Sequence, residues 1–544
     1  MRNMKSSFGR ILCGSALALA SMLATTVQAA VPGITGATAT ANTSAFDLSA
    51  TPGYVSQPDG ASIYVWGYGC NPQAASAPGF APFPGNCPGM QLPGPTLIVH
   101  QKDTVKVTLT NNLPAAAGNT SILFPGFHVT TSGGAAGVLT AEATHTNPVT
   151  YTFIADTAGT HSYYSGTQGD LQVEMGLYGA LIVLPSNGDQ LPATYTSPGS
   201  GLPNTCFAVG SKLASLDTNP DYRLAAAAYD HPSACYEREY MFQFSEMDPA
   251  IHKQALEQSV LACTVLTGCM SVATEPYHAA YFLINGRSFP DDADPNYSAL
   301  YPNQPYNGNP HMHPGELVLV RVIGQGRLQH PLHEHANHVR LLARDGNMLL
   351  SSTNKLAGPL LFTTTTTPGQ TLDGIFQYTG KGLNWDMYAH NASSAVTGSG
   401  PEGGGFAPCI ADKNGYYTTG SGAPANAPNY YEWCADHKKP LESKPFGNVG
   451  SGGPVTLPDP TIVADGAWYS GSPYLGPDAT ARAVGPTPIP PFGTIANDPG
   501  SEAGFAYMWH SHNEREITTN NIFPGGMMMM MLVDPWVSPI DETK

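Results

Sequence analysis

The feature that most constrains the fold of this chain is a succession of short runs of β-branched and aromatic residues, each ended by glycine, proline or asparagine. In the first part of the chain these runs occupy residues 62–66, 96–99, 104–109, 149–153 and 179–184. Short strands at this spacing are typical of a β-sandwich or a β-barrel. The 59 glycines, 49 prolines and 12% charged residues also indicate a loop-rich chain. We therefore predict an all-β fold.

The runs fall into two groups, which predicts two β domains. We place the first domain at residues 45–190 and interpret the polar stretch 191–234, which contains proline and glycine throughout, as a linker. We place the second domain at residues 235–390, with runs at 238–244, 281–286, 316–323, 339–343 and 374–378. Between the first two of these runs, residues 250–261 lack glycine and proline and predict a helix.

Residues 391–500 break the strand pattern. They are crowded with glycine, proline, serine and asparagine and contain few strand-like runs. We interpret them as a long irregular insertion, after which residues 501–540 complete the second domain. Structureless insertions of this length are uncommon in compact domains, so a degenerate third domain is the alternative interpretation.

The N-terminus predicts a protein that is exported to the periplasm or to the extracellular space. Arg2, Lys5 and Arg10 precede an apolar run at residues 11–23, and residues 27–29 carry small side chains at the positions that signal peptidase reads. This is the pattern of a cleavable signal peptide, which we place at residues 1–29. No later apolar run is long enough to cross a bilayer, so we expect no membrane span.

The charge balance narrows the class of partner. Removal of the predicted signal peptide takes away three of the 23 basic residues and none of the 40 acidic ones, so the formal net charge changes from −17 to −20. This charge argues against nucleic acid and anionic membrane surfaces as partners. It is compatible with a small-molecule or metal-ion substrate.

Two histidine clusters mark the candidate site. Residues 330–338 contain four histidines directly after a strand-like run, and residues 509–516 contain two more in another strand-like segment. Side chains two residues apart on a strand point to the same side, and this spacing joins His333 to His335 and His510 to His512. Neutral imidazole binds copper, zinc, iron or nickel. We therefore predict a metal site, with solvated or hydrogen-bonded histidines as the alternative.

The cysteines indicate disulfides. Nine cysteines minus Cys13 of the signal peptide leave eight, an even number in an exported chain. Neighbours in sequence suggest the pairs Cys70–Cys87, Cys206–Cys235, Cys263–Cys269 and Cys409–Cys434, although spacing does not prove connectivity. A cysteine ligand is disfavoured because no cysteine lies inside either histidine cluster.

The methionine run at residues 527–531 has two interpretations. As part of a strand it points alternate methionines to opposite faces. We favour the interpretation that these polarisable side chains fill a core. The alternative is thioether ligation of Cu(I), with one methionine near a metal ion.

Taken together, these segments resemble the multicopper oxidase family, which is built from cupredoxin β-sandwich domains. Residues 330–335 match its His-Pro-x-His-x-His motif, and residues 509–512, with Gly526-Met527 downstream, resemble its closing His-Cys-His and Gly-Met signature. Residues 92–95 and 176–183 resemble the entry and exit landmarks of its first domain. The resemblance implies cupredoxin-like β-sandwich domains, copper as the cofactor and an oxidoreductase.

The chain departs from the family pattern at the copper ligands. The two His-x-His pairs of the first domain align with residues 123–126 and 164–166, which contain no histidine. In the closing motif Ser511 replaces the cysteine of the blue copper site, and Glu516 stands where the following histidine belongs. A serine hydroxyl cannot provide the soft thiolate of a blue site. We therefore expect degenerate copper sites and no blue colour.

The remaining candidate metal residues come from the second domain: His333, His335, His510, His512, His330 and Glu516. In the family the later histidines of each motif face the trinuclear cluster, so the first four of these are expected to hold one ion, and His330 occupies a blue-site position. We expect copper, with zinc or no metal as alternatives. The predicted function is an exported copper-binding oxidoreductase; the alternatives are a non-catalytic metal-binding or storage protein and a structural cupredoxin-fold protein. Two-domain members of the family often trimerise, which implies a homo-oligomer, although the loss of first-domain ligands weakens this expectation.

Overall fold

The computed structural model describes residues 31–36, 42–71, 79–81, 87–185, 225, 227–263, 268–313, 315–379, 410–423, 431–435, 471–474, 504–534 and 540. The predicted signal peptide, most of the predicted linker and most of the predicted insertion lie outside these residues.

The first half of the described chain forms a β-sandwich. Its strands are β1 (Gly33–Thr35), β2 (Thr43–Ser56), β3 (Ser62–Cys70), β4 (Gly79–Ala81), β5 (Leu97–His100), β6 (Thr104–Asn111), β7 (Thr130–Gly133), β8 (Val149–Ile154), β9 (Gly159–Tyr164) and β10 (Tyr178–Leu184). One sheet has the order β4-β1-β5-β10-β9 and the other has the order β3-β2-β6-β8-β7. A short helix, α1 (Gly169–Gln172), precedes β10. Alternate side chains of both sheets, including Trp66, Tyr68 and Tyr163, bury a core between them.

The second half forms another sandwich. Its strands are β11 (Arg238–Met247), β12 (Tyr281–Ile284), β13 (His311–Met312), β14 (Leu317–Gly324), β15 (His330–Glu334), β16 (Val339–Arg344), β17 (Asn347–Met348), β18 (Leu360–Leu361), β19 (Thr363–Thr366), β20 (Thr371–Gln377), β21 (Gly471–Tyr474), β22 (Gly504–Ser511) and β23 (Met528–Val533). One sheet has the order β12-β11-β14-β20-β16-β17, with β18 paired to β16. The other has the order β13-β23-β22-β15-β19, with β21 paired to β22. Both histidine clusters therefore belong to the second of these sheets.

The core of the second sandwich fixes which face of each strand is inside. Phe244, Val320 and Phe376 project from one sheet and meet Leu332 and Trp509 from the other. Trp509 is 1% exposed, and its indole N–H donates to the carbonyl oxygen of His335 over 3.0 Å. Because side chains alternate along a strand, the neighbours of Leu332 and Trp509 point to the outer face of the sheet.

The two sandwiches pack sheet against sheet. Ile98 and Ile182 of the first sandwich meet Met241 and Ile323 of the second in one buried cluster. These residues lie on β5, β10, β11 and β14. The described molecule is thus a stack of four sheets, and the sheet that carries the histidines is the outermost layer on the side of the second sandwich.

One helix of the second half was predicted and is confirmed. Helix α2 (Pro249–Gln258) begins after Asp248, whose side chain accepts a hydrogen bond from the N–H of Ala250 over 2.9 Å. Proline at the first helical position and an acidic cap favour this start. Among the described residues no helix is long and apolar enough to cross a membrane.

Two predicted disulfides are present, Cys70–Cys87 and Cys263–Cys269. Cys235 and Cys434 are also disulfide-bonded. Their predicted partners, Cys206 and Cys409, lie outside the described residues. The fold class is all-β with cupredoxin-like sandwiches, as predicted, and the division into domains at the predicted boundaries stays a proposal.

Candidate metal centre

Strands β15 and β22 bring the two histidine clusters together. The strands pair antiparallel, and the register places His333 directly opposite His510. Residues opposite each other on neighbouring strands lie on the same face, so both imidazoles project from the outer face of the sheet. His335 follows β15, and the next residue, Ala336, has a left-handed φ of 85° that turns the chain.

Three imidazoles converge at this point. Each of His333, His335 and His510 offers one ring nitrogen such that the three atoms lie within 4.8 Å of one another. The closest pair is His335 Nε2 and His510 Nε2, at 3.2 Å. Nitrogens arranged tetrahedrally around one ion at about 2.0 Å are about 3.3 Å apart. The spacing of this pair therefore fits a shared metal ion.

Hydrogen bonds orient the rings for coordination. His510 Nδ1 lies 2.7 Å from the carbonyl oxygen of Ser511, which can only accept, so Nδ1 carries the proton and Nε2 keeps its lone pair. His333 Nδ1 lies 2.8 Å from the Thr363 hydroxyl, which holds the ring of His333 in its orientation. Such outer hydrogen bonds commonly fix the tautomer and the angle of metal-binding histidines.

Burial keeps these imidazoles neutral. Loss of solvation, reinforced by neighbouring histidines, lowers the pKa of His333 to about 4 and that of His335 to about 3. Burial also lowers the pKa of His510. Neutral imidazole is the form that binds metal ions. At neutral pH the three rings are thus already in the form that a metal ion requires.

His512 lies at the solvent edge of the cluster. Its ring centroid is 4.9 Å from that of His333 and 5.6 Å from that of His510. Its side chain is 52% exposed and its Nδ1 lies 3.8 Å from a carboxylate oxygen of Glu514. The ring of His512 therefore borders the cluster on its solvent side.

His330 and Glu516 lie on the opposite, inner side of β15. His330 lies two residues before the core residue Leu332 on β15, so both side chains point to the same side of the strand. The ring of His330 lies 6.4 Å from that of Phe244. Its Nε2 is 2.9 Å from Glu246 Oε2, and its Nδ1 is 3.0 Å from Glu516 Oε2. The Ser511 hydroxyl donates to the same Glu516 oxygen over 2.5 Å. The structure thus separates the predicted metal residues into an outer group of four histidines and an inner group of His330 and Glu516.

The inner group is an ion cluster. Burial opposes a charge on His330, but the hydrogen bonds to Glu246 and Glu516 outweigh it and raise the pKa of His330 to about 9. All three side chains are essentially inaccessible to solvent. A buried imidazolium ion held between two carboxylates therefore occupies this position at neutral pH.

Glu246 is a residue that the sequence reasoning missed. Besides His330, it accepts hydrogen bonds from the backbone N–H groups of Arg327 and Leu328, over 2.6 and 2.9 Å. Glu246 lies near the end of the buried strand β11, and its own side chain is 2% exposed. No clear signal in the sequence marked it, because β11 contains other polar residues, among them Glu239 and Gln243.

Comparison with known proteins gives a partial match to one family. Residues 88–188 match the family model described as multicopper oxidase. This part of the chain is similar to the multicopper oxidases.

The individual matches are partial. A copper-containing nitrite reductase from Pseudomonas chlororaphis is 36% identical over 99 residues, which is 18% of this chain and 26% of the relative. An L-ascorbate oxidase from Brassica rapa subsp. pekinensis is 38% identical over 108 residues, 19% of this chain and 18% of the relative. The matched segments therefore span about a quarter or less of these two relatives. The solved structure of a blue copper oxidase from Nitrosomonas europaea covers 90% of this chain and 85% of its own, at 14% identity and a TM-score of 0.42.

Two positions that we predicted to align with first-domain copper ligands, 123 and 164, line a cavity. Leu123 and Tyr164 face each other in an isolated β-bridge. With Gly166, Gln325 and Gly369 they line a cavity of about 340 Å³ between the sandwiches. The nearby first-domain histidines have other contacts: the ring of His161 reaches the Thr157 carbonyl oxygen at 2.9 Å, and that of His145 reaches the Leu113 carbonyl oxygen at 2.9 Å.

Proposed function

We propose that this multicopper oxidase relative is an exported copper-binding oxidoreductase with a single mononuclear site formed by His333, His335 and His510, to which His512 can add a fourth nitrogen. The observation that supports it most is the convergence of three neutral, buried imidazole nitrogens within 4.8 Å. A packing role does not require three neutral rings to meet with one pair of nitrogens at 3.2 Å.

Copper is the metal that this donor set favours. Imidazole nitrogens suit copper and zinc, and among divalent first-row ions copper binds a given nitrogen site most tightly. The similarity of residues 88–188 to the multicopper oxidases also favours copper. Bound copper would supply a one-electron redox centre. The residues around the histidines would determine which reductants can reach the copper ion.

The surroundings of the cluster determine access. Thr363 and the Ser511 carbonyl hold the rings of His333 and His510 in place. On the solvent side, His512 is exposed and Phe362 is 50% exposed beside His333, with ring centroids 5.7 Å apart. A small-molecule or metal-ion reductant can therefore approach from this side, which is the substrate class that we propose.

We propose that the inner group takes no part in electron entry. Ser511 lacks a thiolate, and both nitrogens of His330 face glutamate oxygens at about 3 Å, as their 2.9 and 3.0 Å separations show. Four-electron reduction of oxygen needs an electron-entry centre beside the oxygen site, so we do not expect it here. Serine in place of a thiolate ligand at position 511 also favours a second function, metal binding without turnover.

Metal analysis and oxygen uptake test the proposal together. We expect protein purified from its exported compartment to contain one copper per chain and to consume oxygen with phenolic or metal-ion reductants. His335→Ala and His510→Ala should abolish both the copper and the uptake. Copper without uptake in the unsubstituted protein would support the second function, and no bound metal in either protein would refute the metal site itself.

A further inference from the structure

We propose that the outer histidine cluster binds copper as Cu(I), and that the thioethers of Met528 and Met508 complete its ligand set. We call the outer surface formed by His333, His335, Met508, His510 and Met528 the histidine–methionine face. The inference rests on the proposed function, because it assumes that the three imidazoles hold a metal ion.

Strand register places a methionine beside the cluster. Between β22 and β23, His510 is directly opposite Met528. Between β15 and β22, His333 is directly opposite His510. These three residues therefore form one row across three neighbouring strands, with Cβ atoms of adjacent members about 4.5–5.5 Å apart. A methionine side chain has three rotatable bonds and can cover that distance to an ion at His510.

A second row extends the same face. Met508 precedes His510 by two residues on β22, so the two side chains point to the same side, and Met508 is directly opposite Met530. His335 follows β15 two residues after His333, and its Nε2 lies 3.2 Å from His510 Nε2. Continuing the register of His333 with His510 and of Glu334 with Trp509 by one residue brings His335 opposite Met508.

Core packing accounts for the other methionines of the run but not for these. Met527, Met529 and Met531 belong to the core between the two sheets. Met528 and Met530 alternate with these three residues along β23 and therefore point outward. On β22 the sequence neighbours of Met508, which are Tyr507 and Trp509, point into the core, so Met508 also points outward. Met508 and Met530 are only partly buried, whereas Met528 is 6% exposed. All three lie on the face of the sheet that points away from the core between the two sheets.

The chemistry of this face selects a soft monovalent ion. A thioether is a soft neutral ligand that suits Cu(I), whereas zinc and other borderline or hard ions gain little from it. Three neutral imidazoles with neutral thioethers add no charge, which suits a single positive ion in a buried position. The inner ion cluster lies on the other side of the sheet, so none of its carboxylates faces this set.

Anaerobic titration of the whole protein with Cu(I) against a colorimetric cuprous chelator tests the inference. The informative variant is Met508→Leu/Met528→Leu, and the matched control is Met531→Leu, on the same strand as Met528 but facing the core. Leucine and methionine have similar volumes, so both variants should fold. Unchanged circular dichroism and thermal unfolding of the metal-free proteins would verify this.

We expect the double variant to lose at least about tenfold in Cu(I) affinity, while its Zn(II) affinity changes less than about twofold. The control should bind Cu(I) like the unsubstituted protein, and X-ray absorption of its Cu(I) complex should show copper–sulfur scattering that the double variant lacks. Equal Cu(I) affinity of the double variant and the unsubstituted protein, without sulfur scattering, would overturn the inference and leave the histidine site intact. If the unsubstituted protein bound neither ion, the proposed function would fail as well.

Discussion

At the scale of single residues, Glu246 and Glu516 determine the state of His330. They hold its ring from both sides and raise its pKa to about 9 from the ordinary value of 6.5. A serine at position 511 completes the group by donating to Glu516. The residues that we predicted at a blue copper position therefore form an ion cluster in which His330 is the cation between two carboxylates.

This pKa predicts how stability depends on pH. The folded protein holds the His330 proton more tightly than the unfolded chain does, so the stabilisation is complete below pH 6.5 and is lost as the pH rises through about 9. A shift of this size corresponds to about 3 kcal/mol in the free energy of unfolding. Denaturant unfolding between these pH values should show the decline, and His330→Gln should remove it. The exposed His512→Gln variant is the control and should keep the same decline.

Restoring the missing cysteine alone should not restore a blue site. In Ser511→Cys, His330 still pairs with Glu246 and Glu516, and position 516 still lacks an imidazole. We expect the copper-loaded variant to show no intense thiolate absorption near about 600 nm, the region we assign to a copper–thiolate site. Absorption spectroscopy of the variant and the unsubstituted protein measures this band. A strong new band in the variant would contradict the pairing of His330 with Glu246 and Glu516.

At the scale of elements, β15 and β22 assign two different roles to the two faces of one sheet. His333 and His510 project outward, while His330, Leu332 and Trp509 project inward. The alternation of side chains along a strand was readable in the sequence, and so was the pairing of His333 with His335 as neighbours on one side. The role of His330 was not readable, because its partner Glu246 is 84 residues away along the chain and only the fold brings them together.

Trp509 is a fully buried core residue that directly precedes His510 on β22. Its ring contacts Phe376 and Phe242 edge-on, with centroids 5.0 and 6.3 Å apart. We expect Trp509→Ala to lower the free energy of unfolding by about 3–5 kcal/mol, because it leaves a cavity in the core. Denaturant unfolding measures the change. Exposed Phe523→Ala is the control, and a loss below about 1 kcal/mol at Trp509 would contradict the packing described for β22.

The methionine run shows how far an element can be predicted. Its assignment to a strand with alternating faces is confirmed by β23. The sequence could not say which methionines face the histidines, because that depends on the register between β22 and β23. Register is set by which face is buried, and a slip of one residue would exchange the two sets.

At the scale of the whole molecule, the four-layer stack separates the histidine sheet from the first sandwich. The all-β class and the two histidine clusters followed from local patterns. The order of the layers did not, because it depends on contacts such as that of Ile182 with Ile323, far apart in the chain. The first-domain positions 123 and 164 accordingly line a cavity between the sandwiches rather than the histidine site.

Asp373 connects the two sandwiches electrostatically. It accepts hydrogen bonds from the backbone N–H and the hydroxyl of Thr160, over 3.1 and 2.6 Å, and lies 3.7 Å from Arg321. We expect Asp373→Ala to cost about 3–5 kcal/mol of stability, because it leaves the buried donors of Thr160 and Tyr229 without their acceptor. Thermal unfolding should show it, with exposed Asp156→Ala unchanged. Equal unfolding temperatures for the two variants would contradict this role.

The most direct test of the central claim, that one copper ion binds at His333, His335 and His510, is an anomalous difference map from copper-loaded crystals measured at the copper absorption edge. We predict one peak between the ring nitrogens of these three histidines on the outer face of β15 and β22. We predict none between His330 and Glu516. A peak at His330 and Ser511, or no ordered peak at the outer cluster, would contradict the account.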